Sequence, residues 1–196
     1  MPPEAVIAAL RAVWMALDSM KIPAAIMGGL AMSAWKHLRF TDDVGLVIGA
    51  GEAMSRDVVK GLVAAGIRTK RPDPLIRIDD ARFLQLLYQP PGLFLEIQID
   101  LHLATSEFHR QAVERRVPLA ATELGFETAV LSCEDLILFR LQADRILDRL
   151  DVAALLRINR ESLDLSHLAH LSKRLRLARG FRNAWSEAFA KESPPF

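Results

Sequence analysis

The residues best suited to chemistry lie at 39–49, RFTDDVGLVIG, where two adjacent acids, Asp42 and Asp43, lead into the apolar run Val44-Gly45-Leu46-Val47-Ile48. Alternate side chains of a strand share a face, so Asp43 and position 45 point one way and Asp42 the other. An Asp-x-Asp spacing here would set two carboxylates side by side, the arrangement that grips a pair of divalent ions roughly 3.5–4 Å apart for phosphoryl or nucleotidyl transfer. Position 45 is glycine, so this strand offers Asp43 alone on that face. A further carboxylate is expected from a neighbouring strand. The segment 93–103 supplies it, since alternation places Glu96, Gln98 and Asp100 on one face and Leu95, Ile97 and Ile99 on the other. Upstream, Gly28-Gly29 follows a short apolar stretch and opens a helical one, where free backbone N–H groups and the helix dipole can hold phosphate.

These residues need elements to position them. Pro2 and Pro3 suit a helix start, and residues 5–20 keep Val6, Ile7, Leu10, Val13, Trp14 and Leu17 at helical spacing. Residues 24–27 form a strand candidate, Gly28-Gly29 a tight turn and 30–37 a short helix; the acid-led strand follows. An amphipathic helix over 52–65 ends at Gly66. Strand-like pieces at 67–69, 75–78, 82–88 and 93–103 come next, the last two separated by the turn Pro90-Pro91-Gly92. Strands that follow one another directly beside helix-linked ones require a mixed sheet. From Ser132 the pattern is helical alone: Ser132 with Asp135 makes a capping box, and Leu136, Leu138, Leu141, Ile146, Leu150, Val152, Leu155 and Leu156 continue one long helix. Two further helices are expected at 163–177 and 181–190. The fold class is therefore α/β (α+β), a small mixed sheet with flanking helices over 1–131 and a C-terminal helical domain over 132–196.

Composition removes several functions. The chain of 196 residues carries 25 basic and 24 acidic side chains, a net charge of +1, so no global field points to nucleic acid or membrane. No apolar run reaches the length that spans a bilayer. The single cysteine, Cys133, excludes an internal disulfide and suits a reducing compartment. The start lacks a basic flank and long apolar core, so a cytoplasmic protein is expected. The five histidines show no ligand spacing beside Cys133, and the basic run 173–179 is a solvated face that could also hold an RNA backbone.

Several motifs in order carry a resemblance. MGGLAMSAWKHLRFTDDVGLVI resembles the signature of the nucleotidyltransferase-fold (polymerase-β-like) superfamily, in which a glycine turn precedes an Asp-x-Asp on the next strand. It is most similar to the bacterial AbiE-type toxin and minimal nucleotidyltransferase branch, through Gly28-Gly29-Leu30-Ala31, Arg39, Thr41 and Asp43. The family's later acid matches Ile99-Asp100-Leu101, and LSCEDLILFRLQADRILDRLDVAALL resembles that branch's helical stretch, with Arg140 where it usually has Lys.

The resemblance implies a nucleotidyltransferase that moves a nucleoside monophosphate from an NTP to an acceptor hydroxyl with Mg²⁺ or Mn²⁺. Asp43 and Asp100 would be catalytic and hold the metal. Gly28, Gly29, Arg39, Thr41 and Arg140 would bind the nucleotide. In toxin relatives the acceptor is tRNA or a protein side chain and the partner an antitoxin. Gly45 stands where the family places its second metal-binding Asp, which implies impaired transfer. A non-catalytic nucleotide-binding or protein-interaction module with a degenerate site is the alternative.

Overall fold

A computed structural model of the chain describes residues 4–120 and 124–196. The helix start expected at Pro2-Pro3 lies outside the described residues. The chain divides into two compact units, Met1–Leu30 with Arg39–Leu131, and Ala31–Leu38 with Ser132–Phe196. Residues 31–38, read from sequence as part of the α/β half, group with the helical unit.

The first unit is built on a mixed sheet. Helix α1 (Glu4–Ser19) buries Val6, Leu10, Val13 and Leu17 of the expected stripe together with Ala9, while Ile7 and Trp14 are half-buried. Strand β1 (Ala24–Met27) runs into α2 (Gly28–Ala34), so the two glycines form the helix's first turn and not a separate loop. Strand β2 (Asp43–Ile48) follows, then a 3-10 turn (Glu52–Met54) and α3 (Ser55–Ala64). Next come β3 (Arg68–Thr69), β4 (Leu75–Ile78), β5 (Ala81–Tyr88) and β6 (Ile97–Leu103). Helix α4 (Glu107–Glu114), β7 (Val117–Leu119) and β8 (Thr128–Val130) complete the unit. Three-residue strands leave no readable alternation, so the pattern of 104–131 predicts neither β7 nor β8.

Among the described residues the sheet has eight strands in the order β3-β5-β6-β2-β1-β8-β7, with β4 also pairing β5. Strand β1 is antiparallel to β2, and β2 is parallel to β6. Strands β3 and β4 share one edge of β5 on either side of Gln85, whose carbonyl accepts from the Lys70 N–H and whose N–H donates to the Pro74 carbonyl. Val44, Leu46 and Ile48 of β2 and Ile99, Leu101 and Leu103 of β6 are fully buried on one face. The other face carries Asp43, Gly45 and Asp100.

Strand β6 begins four residues later than its apolar pattern suggests, at Ile97 and not Leu93. Its partner β5 ends at Tyr88, opposite Ile97, and β2 starts at Asp43, opposite Gln98, so nothing remains to pair with 93–96. Gly92 has φ 78° and closes a turn in which Leu93 N–H donates to Pro90 O at 3.1 Å, leaving Leu93, Phe94 and Leu95 exposed.

The helical unit corrects the single long helix. Helix α5 (Cys133–Ala143) is capped by the Ser132 hydroxyl, which accepts from Asp135 N–H at 3.1 Å, and it stops at Asp144 in the left-handed conformation, φ 48°. Helix α6 (Ile146–Asn159) restarts behind a capping box between Arg145 and Asp148. Helices α7 (Leu165–Arg174) and α8 (Ala178–Ala188) follow. Leu136, Ile137, Leu155, Leu156, Leu168, Phe181 and Trp185 form this unit's core. Asn159 Nδ2 donates to the Trp35 carbonyl at 3.2 Å, which ties residues 31–38 to α6. Among the described residues, no helix is long and apolar enough to cross a membrane.

Candidate active site

The register of β2 against β6 pairs Asp43 with Gln98 and Gly45 with Asp100. Asp43 and Asp100 therefore share a face on adjacent strands, offset by one side-chain step. Each carboxylate has its own support. The Thr41 hydroxyl, buried, donates to Asp43 Oδ1 at 2.7 Å. Gln98 Nε2 donates to Asp100 Oδ2 at 2.8 Å. Gln98 is itself oriented from the sheet edge, because Lys70 Nζ donates to its Oε1. Across the next ladder, Gln85 stands opposite Asp100.

Asp100 Oδ1 is buried and meets no donor at hydrogen-bonding geometry among the described residues. Burial raises the Asp100 pKa, and the charge of Asp43 pushes it further up, while Gln98, Gln85 and Lys70 pull the other way. Two like charges on one face with an unmatched oxygen leave a place for a cation.

The glycines shape the floor. Gly28 has φ 71°, a conformation open to glycine without strain, and a β-carbon on it would come 3.9 Å from the Gly45 Cα. A β-carbon on Gly29 would lie 2.6 Å from Thr41 Cβ and 2.7 Å from Thr41 Oγ1. Gly29 is thus required by the threonine that orients Asp43. At Gly45, opposite Met27 on β1, a β-carbon would stand 3.3 Å from the Met27 carbonyl oxygen. Position 45 is tight against β1 at its base, and it contributes no ligand between Asp43 and Asp100.

A divalent ion fits these residues in part. Asp43 and Asp100 are hard oxygen ligands, as Mg²⁺ prefers, and phosphate oxygens usually complete such a shell. No group of three or more His, Cys, Asp or Glu placed to share a metal exists among the described residues. The set suits one ion finished by a substrate's phosphates, and lacks an acid for a second.

Other sequence candidates fall in different places. Arg39 is half-buried in the loop ahead of Thr41. Arg140 lies in the helical unit, buried, with Nη1 at 2.7 Å from Asp148 Oδ1 and 3.5 Å from Asp151 Oδ2. Asp144, in the left-handed turn that ends α5, pairs with Arg149 at 2.8 Å. Glu96 has left the strand and forms a bidentate pair with Arg68. His102 shares the Asp100 face but packs edge-on against Phe83 and His109, with centroids 4.7 and 4.5 Å away; burial and the nearby His109 push its pKa down to about 3. Cys133 is buried, and burial with the charge of Glu134 pushes its thiol up to about 12, which makes it inert as a nucleophile. Lys70 was missed. It sits between two short edge strands, and only their pairing to β5 carries it to Gln98.

No protein-family model matches the chain, and no curated protein matches it. Solved structures do. A candidate nucleotidyltransferase from H. pylori superposes with a TM-score of 0.57 at 14% identity, covering 94% of this chain and 77% of that one. An antigenic nucleotidyltransferase-like protein from Paracoccidioides brasiliensis gives 0.50 at 19% identity over 95% and 97%. ANT(2″)-Ia in complex with adenylyl-2″-tobramycin gives 0.51 at 16% identity over 87% and 96%. At these identities the likeness is one of fold, and the chain has the mixed α/β fold of nucleotidyltransferases.

Proposed function

We propose that the chain binds a nucleoside triphosphate with Mg²⁺ or Mn²⁺ on the face of Asp43 and Asp100, and transfers nucleoside monophosphate to an acceptor hydroxyl slowly at best. The supporting observation is the buried, unmatched Asp100 Oδ1 on the same face as Asp43. When bound, the ion would neutralise the phosphates and lower the pKa of a nearby hydroxyl. Asp43, held by Thr41, and Asp100, held by Gln98, are the proposed ligands. The first turn of α2, where Gly28 and Gly29 carry no side chain and let a phosphate approach the backbone, is the proposed seat of the triphosphate, with Arg39 as its counter-charge. Arg140 joins this assignment through the sequence resemblance alone. So do the tRNA or protein acceptor, the antitoxin-like partner and the cytoplasmic location; the tobramycin adduct of ANT(2″)-Ia adds a small polyhydroxylated acceptor to be tried.

Gly45 favours a second reading, in which the site binds nucleotide without turning it over. Displacement is fastest when charge is placed at both the attacking and leaving oxygens, and position 45 supplies nothing towards the second.

Calorimetric titration of ATP and GTP, with Mg²⁺ or with EDTA, tests the binding. The expected result is metal-dependent affinity that Asp43→Asn and Asp100→Asn each remove. Affinity indifferent to the metal and to both carboxylates would sink the proposal. Labelled-nucleotide transfer to bulk tRNA and protein then separates the slow enzyme from the binding module.

A further inference from the structure

Helix α1, the end of α4 and strands β7 and β8 border a cavity of about 560 Å³ that lies wholly in the first unit. The strand registers place it. Val130 of β8 is level with Ile26 of β1, so Thr128, in the same parallel pair, is level with Ala24. Ala24 faces Ile48, the end of β2 furthest from Asp43. The cavity and the candidate active site therefore lie towards opposite ends of the strands, with β1 and β8 between β2 and β7.

The walls of the cavity are aromatic. Trp14 is half-buried, and among the described residues its ring stacks on no other. Phe126 lines the same space and is fastened to α1 by Arg11. The Arg11 Nη2 donates to Leu124 O at 3.3 Å, and its guanidinium carbon lies 4.8 Å from the Phe126 ring centre.

The rim is acidic. Asp18 from α1, Glu114 from the end of α4 and Glu127 from the approach to β8 are all exposed. Among the described residues none of the three forms an ion pair. Arg116, the cation of the described lining, is turned to the helix end instead, its Nη1 donating to Val113 O at 2.8 Å. Thr128 also lines the cavity; it is 6% exposed, and its hydroxyl meets no partner. Folds seldom leave a buried hydroxyl unmatched.

Three carboxylates without counter-charges call for a cation. A metal ion suits them poorly, because among the described residues no three acids converge to share one. Acids carried on three separate elements suit positive charges that are themselves separated. The apolar wall between them suits methylene links, and an ammonium over the Trp14 face gains cation–π attraction. We infer that this cavity binds a linear aliphatic polyamine, its ammonium groups at Asp18, Glu114 and Glu127 and its chain across Trp14. The Thr128 hydroxyl accepts from an ammonium at the floor. The bound molecule ties α1 to α4 and β8 and so stabilises the first unit. The site is independent of the proposed nucleotide chemistry.

Calorimetric titration of spermidine into the full chain, without nucleotide or divalent metal, tests this. Saturable binding is expected, with a raised melting temperature. Asp18→Asn, Glu114→Gln and Glu127→Gln should each weaken affinity about threefold, and the triple variant tenfold or more. Trp14→Leu, which keeps an apolar filling, should also weaken it about threefold. The three acids are exposed, so their variants should melt like the unaltered chain when spermidine is absent. Asp57→Asn makes the same charge change on exposed α3 and should leave affinity unmoved, as should Asp43→Asn and Asp100→Asn. No saturable binding, or equal affinity in the triple variant, overturns the site. Equal weakening by Asp57→Asn would reduce it to diffuse charge attraction, and loss in Asp43→Asn would move it to the other end of the sheet; either result overturns it.

Discussion

Thr41 occupies the space that a side chain on Gly29 would need: its Cβ lies 2.6 Å from the point where a β-carbon on Gly29 would stand. The same threonine donates to Asp43 at 2.7 Å. Glycine at 29 and carboxylate orientation at 43 are one constraint. Gly29→Ala should displace Thr41 and cost about 1–3 kcal/mol of stability. Thermal unfolding reads the loss, and weaker Mg²⁺–NTP binding should accompany it. Thr41→Val, which removes only the hydroxyl's bond, should weaken binding with less loss of stability. An unchanged melting temperature in Gly29→Ala would show that the contact is slack.

Gly45 can accept an acid at modest cost. Its φ lies outside the left-handed range, and its β-carbon would crowd the Met27 carbonyl oxygen at 3.3 Å, a contact a small shift relieves. Gly45→Asp should lower stability by about 1 kcal/mol while tightening Mg²⁺ or Mn²⁺ binding and raising nucleotide transfer. Robust transfer by the unaltered chain, lost in Asp43→Ala but indifferent to Gly45→Asp, would mean that the second acid is not needed.

Burial, and then the charge of Asp43, raise the Asp100 pKa, so ionising this carboxyl in the folded chain costs stability. The sign follows from proton uptake. The folded chain holds this proton to higher pH than the unfolded chain, so stability falls as pH climbs from the ordinary value of 3.8 through the raised one. Without metal, Asp100→Asn should remove that fall and raise the melting temperature at pH 7, by about 2–4 °C for each kcal/mol relieved. Mg²⁺ should raise the melting temperature of the unaltered chain and not of the variant. A lower melting temperature in Asp100→Asn would contradict the strain.

Asp148 behaves in the opposite sense. Burial pushes its pKa up, but hydrogen bonds from Arg145 and Arg140 outweigh it and hold the carboxyl below its ordinary 3.8. Its stabilisation is complete above that value and is lost as pH falls through the lower folded one. Asp148→Asn should therefore flatten the acid limb of the stability curve below about pH 4. Arg140→Ala leaves Asp148 and Asp151 facing an empty position and should cost about 3–5 kcal/mol. Arg140→Lys, which keeps a charge, should cost less, and NTP affinity in that folded variant tests the nucleotide role of Arg140. Acid unfolding identical in Asp148→Asn and the unaltered chain would show that the pair is not formed.

Much of this molecule is written in short-range pattern. Alternation by itself put Asp43 on the face of position 45 and Asp100 on the face of Gln98, and helical spacing marked α1 with Val6, Leu10, Val13 and Leu17 of the residues it buries. The Ser132 cap was equally legible, since a helix start needs a side-chain acceptor within its own first turn. The mixed sheet followed from which strands had helices between them. All of these depend on neighbours a few residues apart.

What sequence did not disclose depends on partners far along the chain. Whether Asp43 and Asp100 meet is decided by the β2–β6 register, which sets Gly45 beside Asp100. Lys70 reaches Gln98 only because the two edge strands read at 67–69 and 75–78 pair with β5 on either side of Gln85, a partnership that no local pattern records. The strand begun at Leu93 in the pattern starts at Ile97, because a strand lasts only as far as its neighbours offer hydrogen bonds. The long helix breaks at Asp144 although every flanking residue tolerates a helix, and Arg145 and Asp148 restart it. Periodicity records which residues prefer burial. Pairing and packing decide what they are buried against, and that determines which acids stand side by side and which arginine is already spent on a partner.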